Sequence, residues 1–207
     1  MGRVDGTPER ERLLGLVVDL ILREGVIDIS LSSVARSIGS NNRMLLYYFG
    51  SKEALLDEAG LRALDRFALL REMFTRLGGA GDLQERLLAA WDDLSAPENF
   101  PYLRLYFQRF GVAMRDTAQW QTFIERAGRQ WVQLTQAVFA REGYSDTDSL
   151  HAATQVVALW RGLQLLLLSG VRPEQLSDTY SLGVRGLLAQ LTPAAPEVAA
   201  VRSAPGR

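Results

Sequence analysis

A single glycine, Gly39, separates two short apolar stripes, and the spacing of those stripes narrows the local fold more than any other feature of the chain. Leu31, Val34, Ala35 and Ile38 fall at i, i+3, i+4 and i+7, which puts them on one side of an α-helix and turns Ser32, Ser33 and Arg36 outward. Ser30 is placed to cap that helix and Gly39 to end it, because the residue just past a helix end takes a positive φ that costs glycine nothing. Ser40 or Asn41 caps the next helix, which turns Leu45, Tyr48 and Phe49 inward and Asn42, Arg43, Met44 and Tyr47 outward. Gly50-Ser51 closes it, and Ser51 caps a third helix that begins at Lys52.

The same stretch is chemically one-sided. No acidic residue occurs between Asp28 and Glu53, whereas a chain with 24 acids in 207 residues would by chance place about three there. Arg36, Arg43 and Lys52 are cationic. Two helices about a tight turn, with a cationic and amide-rich surface, are what docking on a phosphate backbone requires. In that geometry the second helix enters the major groove, where Asn pairs with adenine and Arg with guanine in bidentate fashion; Asn42 and Arg43 are the candidate base readers. Ser32, Ser33, Tyr48 and Lys52 are candidates for phosphate contacts, and Arg36, Asn41, Met44 and Tyr47 complete the DNA-facing set. Spacing alone leaves open a second possibility, an αα corner in a protein that never meets DNA.

The run from Ser30 to Leu56 resembles the DNA-binding region of the TetR (tetracycline-repressor) family of bacterial transcriptional regulators. Ser30, Leu31, Val34, Ala35, Gly39, Leu45, Tyr48, Phe49, Lys52 and Leu55 stand at positions that match the family pattern. Ser40 and Asn41 replace its usual Val-Ser, Arg43 replaces a frequent glycine, and Leu46 stands where tyrosine is common. Leu46 thereby removes a phosphate-binding hydroxyl, and Arg43 adds a long cation near the base edges. The resemblance implies an all-α protein. An N-terminal three-helix DNA-binding domain with a helix-turn-helix would be joined by a long helix to a C-terminal helical ligand-binding and dimerisation domain. It further implies a homodimer on double-stranded operator DNA. A small-molecule effector would bind in the second half and shift the separation of the two DNA-reading units.

At 207 residues and 47% hydrophobic, the chain can hold one or two domains with a substantial core. It contains no cysteine, which excludes disulfides and thiolate metal sites. The first ten residues are polar, with none of the apolar run of a signal peptide. The longest apolar stretch, Val156 to Leu168, is interrupted by Arg161 and falls short of the roughly 20 residues needed to span a bilayer. A cytoplasmic protein without a membrane partner is expected. Net charge is −1, and residues 1–52 carry seven cations against six acids, so DNA binding would rest on local arrangement and on two copies acting together. Of the 23 basic residues one is lysine, Lys52, at the start of the third helix.

Residues 1–7 read as a loose arm with Arg3 as a possible DNA contact, and Pro8 opens a helix to about Glu24 that Gly25 stops. The helix begun at Ser51 is expected to run unbroken to Leu77, roughly 40 Å, weakened at Gly60. It would link residues 1–52, the DNA-binding domain, to residues 53–191, the effector and dimerisation domain. Gly78-Gly79-Ala80-Gly81 reads as a connector. Further helices are expected over 82–94, 101–115, 118–141, 148–169 and 173–191, punctuated by Asp82, Ser95 or Pro97, Asp116, Asp146 and Pro173. Residues 192–207 read as a disordered tail, and no strand fits.

Aromatic side chains crowd the central helices. Trp91, Tyr106, Phe107, Phe110, Phe123, Trp131 and Trp160, with Gln130, Gln155 and Gln164 as polar groups, form the candidate effector site, which favours a small hydrophobic or aromatic molecule. The alternative for each is ordinary core. His151, the only histidine, reads as structural or solvent-facing. Leu159, Leu163, Leu166 and Leu167, followed by Tyr180, Val184, Leu187 and Leu188, are the candidate dimer interface, a four-helix bundle formed by two helices from each copy. Gly162, Gly183 and Gly186 would permit close approach; the alternative is that these helices complete one chain's own core.

No nucleophile elbow, P-loop or metal-ligand cluster assembles a catalytic site. Asp92-Asp93 and the Asp146/Asp148 pair sit at helix ends, where capping or solvation accounts for them. No catalytic residue, metal or cofactor is therefore expected. The expectation is a ligand-responsive repressor on a palindromic operator; the competing classes are an all-α interaction module and a small helical enzyme.

Overall fold

Side-chain caps at Ser30, Asn41 and Ser51 set the three short starts that shape the N-terminal end. The structure, a computed structural model, describes residues 7–24, 29–115, 117–118 and 120–192. Helix α1 (Pro8–Glu24) buries Leu13, Leu14, Val17, Val18, Leu20 and Ile21 along one face. Helix α2 (Leu31–Ser37) begins where the Ser33 amide donates to Ser30 Oγ at 3.1 Å. Gly39 then turns the chain at φ +67°, and the Ser40 amide donates back to the Ala35 carbonyl at 2.8 Å. Asn41 rather than Ser40 caps α3 (Asn42–Phe49), its Oδ1 accepting the Met44 amide at 3.0 Å. Gly50, at φ +79°, ends α3, and Ser51 Oγ accepts the Ala54 amide to open α4 (Lys52–Ala63). Each such cap contributes about 1 kcal/mol.

The helix expected to run unbroken from Ser51 to Leu77 is two helices. After α4 a 3-10 turn covers Leu64–Arg66, Phe67 leaves helical backbone at φ −117° and ψ 87°, and α5 (Ala68–Leu77) restarts. Gly60, the expected weak point, is helical and buried. Neither glycine nor proline marks the break at Phe67. Its ring packs instead on Tyr102 at 5.5 Å, and that tertiary contact outweighs local helix propensity.

The remaining elements are α6 (Leu83–Ser95), capped by Asp82, a 3-10 turn over Pro97–Asn99, and α7 (Phe100–Ala113). The helix expected over 118–141 is α8 (Gln121–Glu125) and α9 (Trp131–Arg141), with a π-helical turn over Arg126–Gln130 between them. Helix α10 (Asp146–Leu168) is capped by Ser145, and α11 (Pro173–Leu188) opens at proline. The Arg3 arm, the stop at Gly25, the boundary at Asp116 and the tail over 193–207 lie outside the described residues. Among the described residues there is no strand, and no helix is long and apolar enough to cross a membrane.

Two apolar cores hold these elements. The first joins α1 to α4 through Val17, Ile21, Val34, Leu45, Phe49 and Leu55, and continues into α7 and α8 through Leu105, Tyr106 and Phe123. The second joins α5, α6, α9, α10 and α11 through Met73, Leu87, Trp91, Phe139, Val156, Trp160 and Tyr180. The interior of the N-terminal head is thus shared with α7 and α8, and α4 lies inside that core.

Candidate DNA-binding face and effector compartment

The outward side of α2 and α3 forms one surface. Ser32, Ser33, Arg36, Asn41, Asn42, Arg43 and Tyr47 are exposed, while Met44, Tyr48 and Lys52 are half-buried. Asn42 Nδ2 donates to Ser32 Oγ at 2.8 Å, which ties the start of α3 to the first turn of α2. The Tyr47 and Tyr48 rings meet edge to face at 5.0 Å, and Asn41, Arg43, Met44, Leu46 and Tyr47 line a shallow open groove.

Charge pairing sharpens the picture. Arg12 is held by Glu9, Arg23 by Glu24 and Arg10 by Glu58, and Lys52 lies 3.9 Å from Glu53. Arg36 and Arg43 alone among the described cations of the head have no carboxylate within 4 Å, and both stand on the α2–α3 surface. The acid-free run in the sequence therefore becomes a surface with two unneutralised guanidinium groups, able to bind anions at no cost of a broken ion pair.

The residues expected to line an effector site divide into groups. Trp131, Trp160 and Phe74 meet at ring separations of 5.1 to 6.4 Å. Tyr106, Phe107, Phe110 and Phe123 form a second cluster around α7, with Trp120 at 6.4 Å from Phe123. Arg161 of α10 joins the two, its Cζ lying 3.8 Å from the Trp131 centroid and 4.3 Å from that of Tyr106. Gln164 is fully buried and its Oε1 accepts from Arg161 Nη1 at 3.0 Å. Burial lowers the pKa of Arg161 and raises those of Tyr102 and Tyr106, so the phenols stay neutral beside the cation.

Three expected members stand elsewhere. Trp91 packs on Tyr180 at 5.6 Å and donates Nε1–H to Ser177 at 3.0 Å, deep between α6 and α11, as ordinary core. Gln130 and Gln155 are exposed, and Gln155 shares the outward face of α10 with His151. Arg161 and Arg109, which stand among these rings, carry no local motif in the sequence. Arg161 was visible only as the charge that interrupts the apolar run of α10, which is the one signal that could have flagged it.

The expected dimer set also divides. Leu163, Leu167, Tyr180, Val184 and Leu187 are buried within a single chain, because α10 and α11 turn their broad apolar side onto α6 and α9. Leu159 and Leu188 are half-buried, Leu166 is exposed, and the outward side of both helices carries Leu165, Leu166 and Leu182 with Ala158, Gly162 and Gly186. Gly183 does permit close approach, though to Leu159 of the same chain; Gly162 and Gly186 face open space. Asp93 is held by Arg76 at 2.6 Å, Asp148 accepts from Ser145, and no metal-binding group of acids or histidine occurs among the described residues.

No protein-family profile and no curated protein matches the chain. Solved structures do match it. A Rhodococcus sp. protein assigned as a TetR-family transcriptional regulator superposes with a TM-score of 0.68 at 20% identity, over 88% of this chain and 100% of that one. A TetR-family transcriptional regulator from Streptomyces coelicolor gives 0.63 at 19% identity, over 89% and 81% of the two chains. A protein from Saccharomonospora viridis assigned as a transcriptional regulator, solved in complex with choline, gives 0.60 at 20% identity over 89% and 98%. The chain has the all-α fold of TetR-family regulators.

Proposed function

We propose that this protein is a ligand-responsive DNA-binding transcriptional regulator, a repressor that holds a palindromic operator as a homodimer. The observation that carries the reading is the α2–α3 surface, where capped helices present Arg36 and Arg43 without carboxylate partners. In this reading α3 enters the major groove with Asn42 and Arg43 toward the bases, while Ser32, Ser33, Tyr48 and Lys52 hold phosphates. The Asn42–Ser32 hydrogen bond fixes the orientation of the amide before DNA arrives. The shared fold of TetR-family regulators supports the assignment. A nearly neutral chain needs two heads, and half-sites about 34 Å apart would match a two-fold dimer.

The dimer forms through the outward side of α10 and α11, where Leu165, Leu166 and Leu182 are exposed beside small residues that admit a close partner helix. The effector, a small hydrophobic or aromatic molecule, binds between α7, α9 and α10 and releases the DNA. The Saccharomonospora neighbour holds choline, a cation. In this chain the faces of Trp131 and Tyr106 are already occupied by Arg161, which weighs against a cationic effector here. The reading assigns no catalytic role to any residue.

Selection of bound sites from random duplex DNA tests the proposal. A palindrome should emerge, with affinity falling log-linearly between about 50 and 200 mM salt. A protein that retains no duplex even at low ionic strength would overturn it.

A further inference from the structure

Arg161 carries its charge into the body of the protein without a carboxylate beside it. Among the described residues its hydrogen bonds go to neutral acceptors only, Gln164 Oε1 at 3.0 Å and the Ala127 carbonyl at 3.5 Å. Its buried Nε finds no acceptor among the described residues, a feature it shares with Arg109 Nε. On the amide it contacts, Gln164 Nε2 is also buried and also without a partner. What sets this site apart is the orphaned Gln164 Nε2 donor beside a guanidinium with no carboxylate: the group that would satisfy both is an acceptor, and the cation favours a negative one.

Two other arginines, Arg10 and Arg109, are buried and supply the contrast, and Arg10 is paired with Glu58 of α4. Arg109 of α7 lies over Phe123 at 4.3 Å, much as Arg161 lies over Trp131, but Arg109 is matched by Asp57 of α4. The fold neutralises the guanidinium groups of Arg10 and Arg109 from within and leaves that of Arg161 to its aromatic neighbours.

We infer that Arg161 and Gln164 recognise the carboxylate of a small organic acid whose apolar body lies among Trp131, Trp160, Phe74 and Tyr106. The inference rests on the effector reading above and gives that effector its chemical class. A carboxylate suits the guanidinium fork, which donates two parallel hydrogen bonds, and its single charge balances a single cation. A phosphate monoester would bring nearly two charges to one arginine. Trp160 is fully buried, whereas Trp131 and Phe74 are half-buried and are the side chains that an entering acid displaces. Trp131 directly follows the π-helical turn over Arg126–Gln130, where the helical register slips and Ala127 directs its carbonyl to both Arg161 and Tyr106.

The test uses the full chain and four acids, benzoate, phenylacetate, indole-3-acetate and octanoate, each compared with its own primary amide. Binding is followed by tryptophan fluorescence, since Trp131 and Trp160 line the compartment, and by thermal shift. At least one acid should bind about tenfold or more tighter than its amide, and Arg161→Met should remove that preference. Gln164→Leu, which keeps the cation, should weaken the acid and leave the amide unchanged. Equal binding of acid and amide, no binding by any of the four acids, or an unaltered preference in both variants would overturn the inference. DNA binding is read separately on the same samples. Acid recognition by a protein that ignores DNA keeps this site and removes the regulator; DNA binding with no acid recognition does the reverse.

Discussion

Gly60 of α4 and Arg109 of α7 claim the same space: a Cβ added at position 60 would collide with the Arg109 guanidinium. Arg109 is buried there, paired with Asp57 three residues earlier on α4 and lying over the rings of Phe123 and Trp120. Helix α7 is thereby keyed into α4, and α4 begins at Lys52, beside the proposed DNA-binding surface. A shift of α7 would bear on the head through this contact, which gives the proposed effector site a route to the proposed DNA-binding surface.

Gly60→Ala follows from that fit. On an open helix the change would stabilise by up to about 1 kcal/mol. Here the methyl group must push a guanidinium away from its carboxylate, and a net loss of about 1–3 kcal/mol is expected. In an Arg109→Met background the same substitution should turn neutral or stabilising. Urea unfolding of the four proteins of this cycle measures the coupling, and additive effects would show that the two positions do not compete.

On the DNA-facing surface, Arg43 and Lys52 should behave differently. Arg43→Ala is expected to cost about 1–3 kcal/mol of specific binding and to relax preference at one base pair. Lys52→Ala should weaken binding to all duplexes alike and flatten the salt dependence. Fluorescence anisotropy on the selected site and on scrambled DNA distinguishes the two. An unchanged affinity and preference in Arg43→Ala would remove that side chain from the groove.

The turn of the head was legible because its determinants are local. Caps, a positive-φ glycine and i, i+3, i+4 spacing all lie within about one dozen residues of one another, within reach of short-range rules. What stayed hidden depends on which neighbour a face meets. The break at Phe67 has no breaker residue and comes from a ring on another helix, Tyr102. Periodicity puts Trp160 and Gln164 on one side of α10, but nothing in the sequence says that Gln155 looks away from them or that Trp91 of the same core turns toward Tyr180 and Ser177 of α11. The strongest apolar stripe of α10 and α11 suggested an interface for the same reason. A stripe broad enough for a partner is also broad enough to fill the chain's own interior, and burial places Leu163 and Tyr180 there.

Asn41→Ala should separate the two capping possibilities left open by sequence. Asn41 Oδ1 is the acceptor of the Met44 amide, and its loss is expected to cost about 1 kcal/mol. Ser40 uses its backbone amide, not its side chain, to close the turn on Ala35, so Ser40→Ala should change stability little. Thermal denaturation of both variants decides it, and a larger effect at Ser40 would contradict the assigned cap.

The proposed dimer makes a prediction about two leucines on neighbouring helices. Leu182 is 64% exposed in the single chain, so a glutamate at that position meets water in a monomer and costs the fold almost nothing. In a dimer formed through α10 and α11 the same carboxylate would be buried without a partner and would force the copies apart. Leu182→Glu should therefore sediment as a folded monomer, with unchanged helical content and with operator affinity lost together with the second head. Leu163 is 5% exposed and lies inside one chain's core. Leu163→Glu should unfold the body whatever its oligomeric state, lowering the thermal midpoint sharply. Sedimentation equilibrium and circular dichroism on the two variants separate a surface that pairs from a core that does not. A Leu182→Glu protein that still sediments as a dimer would move the interface away from these helices.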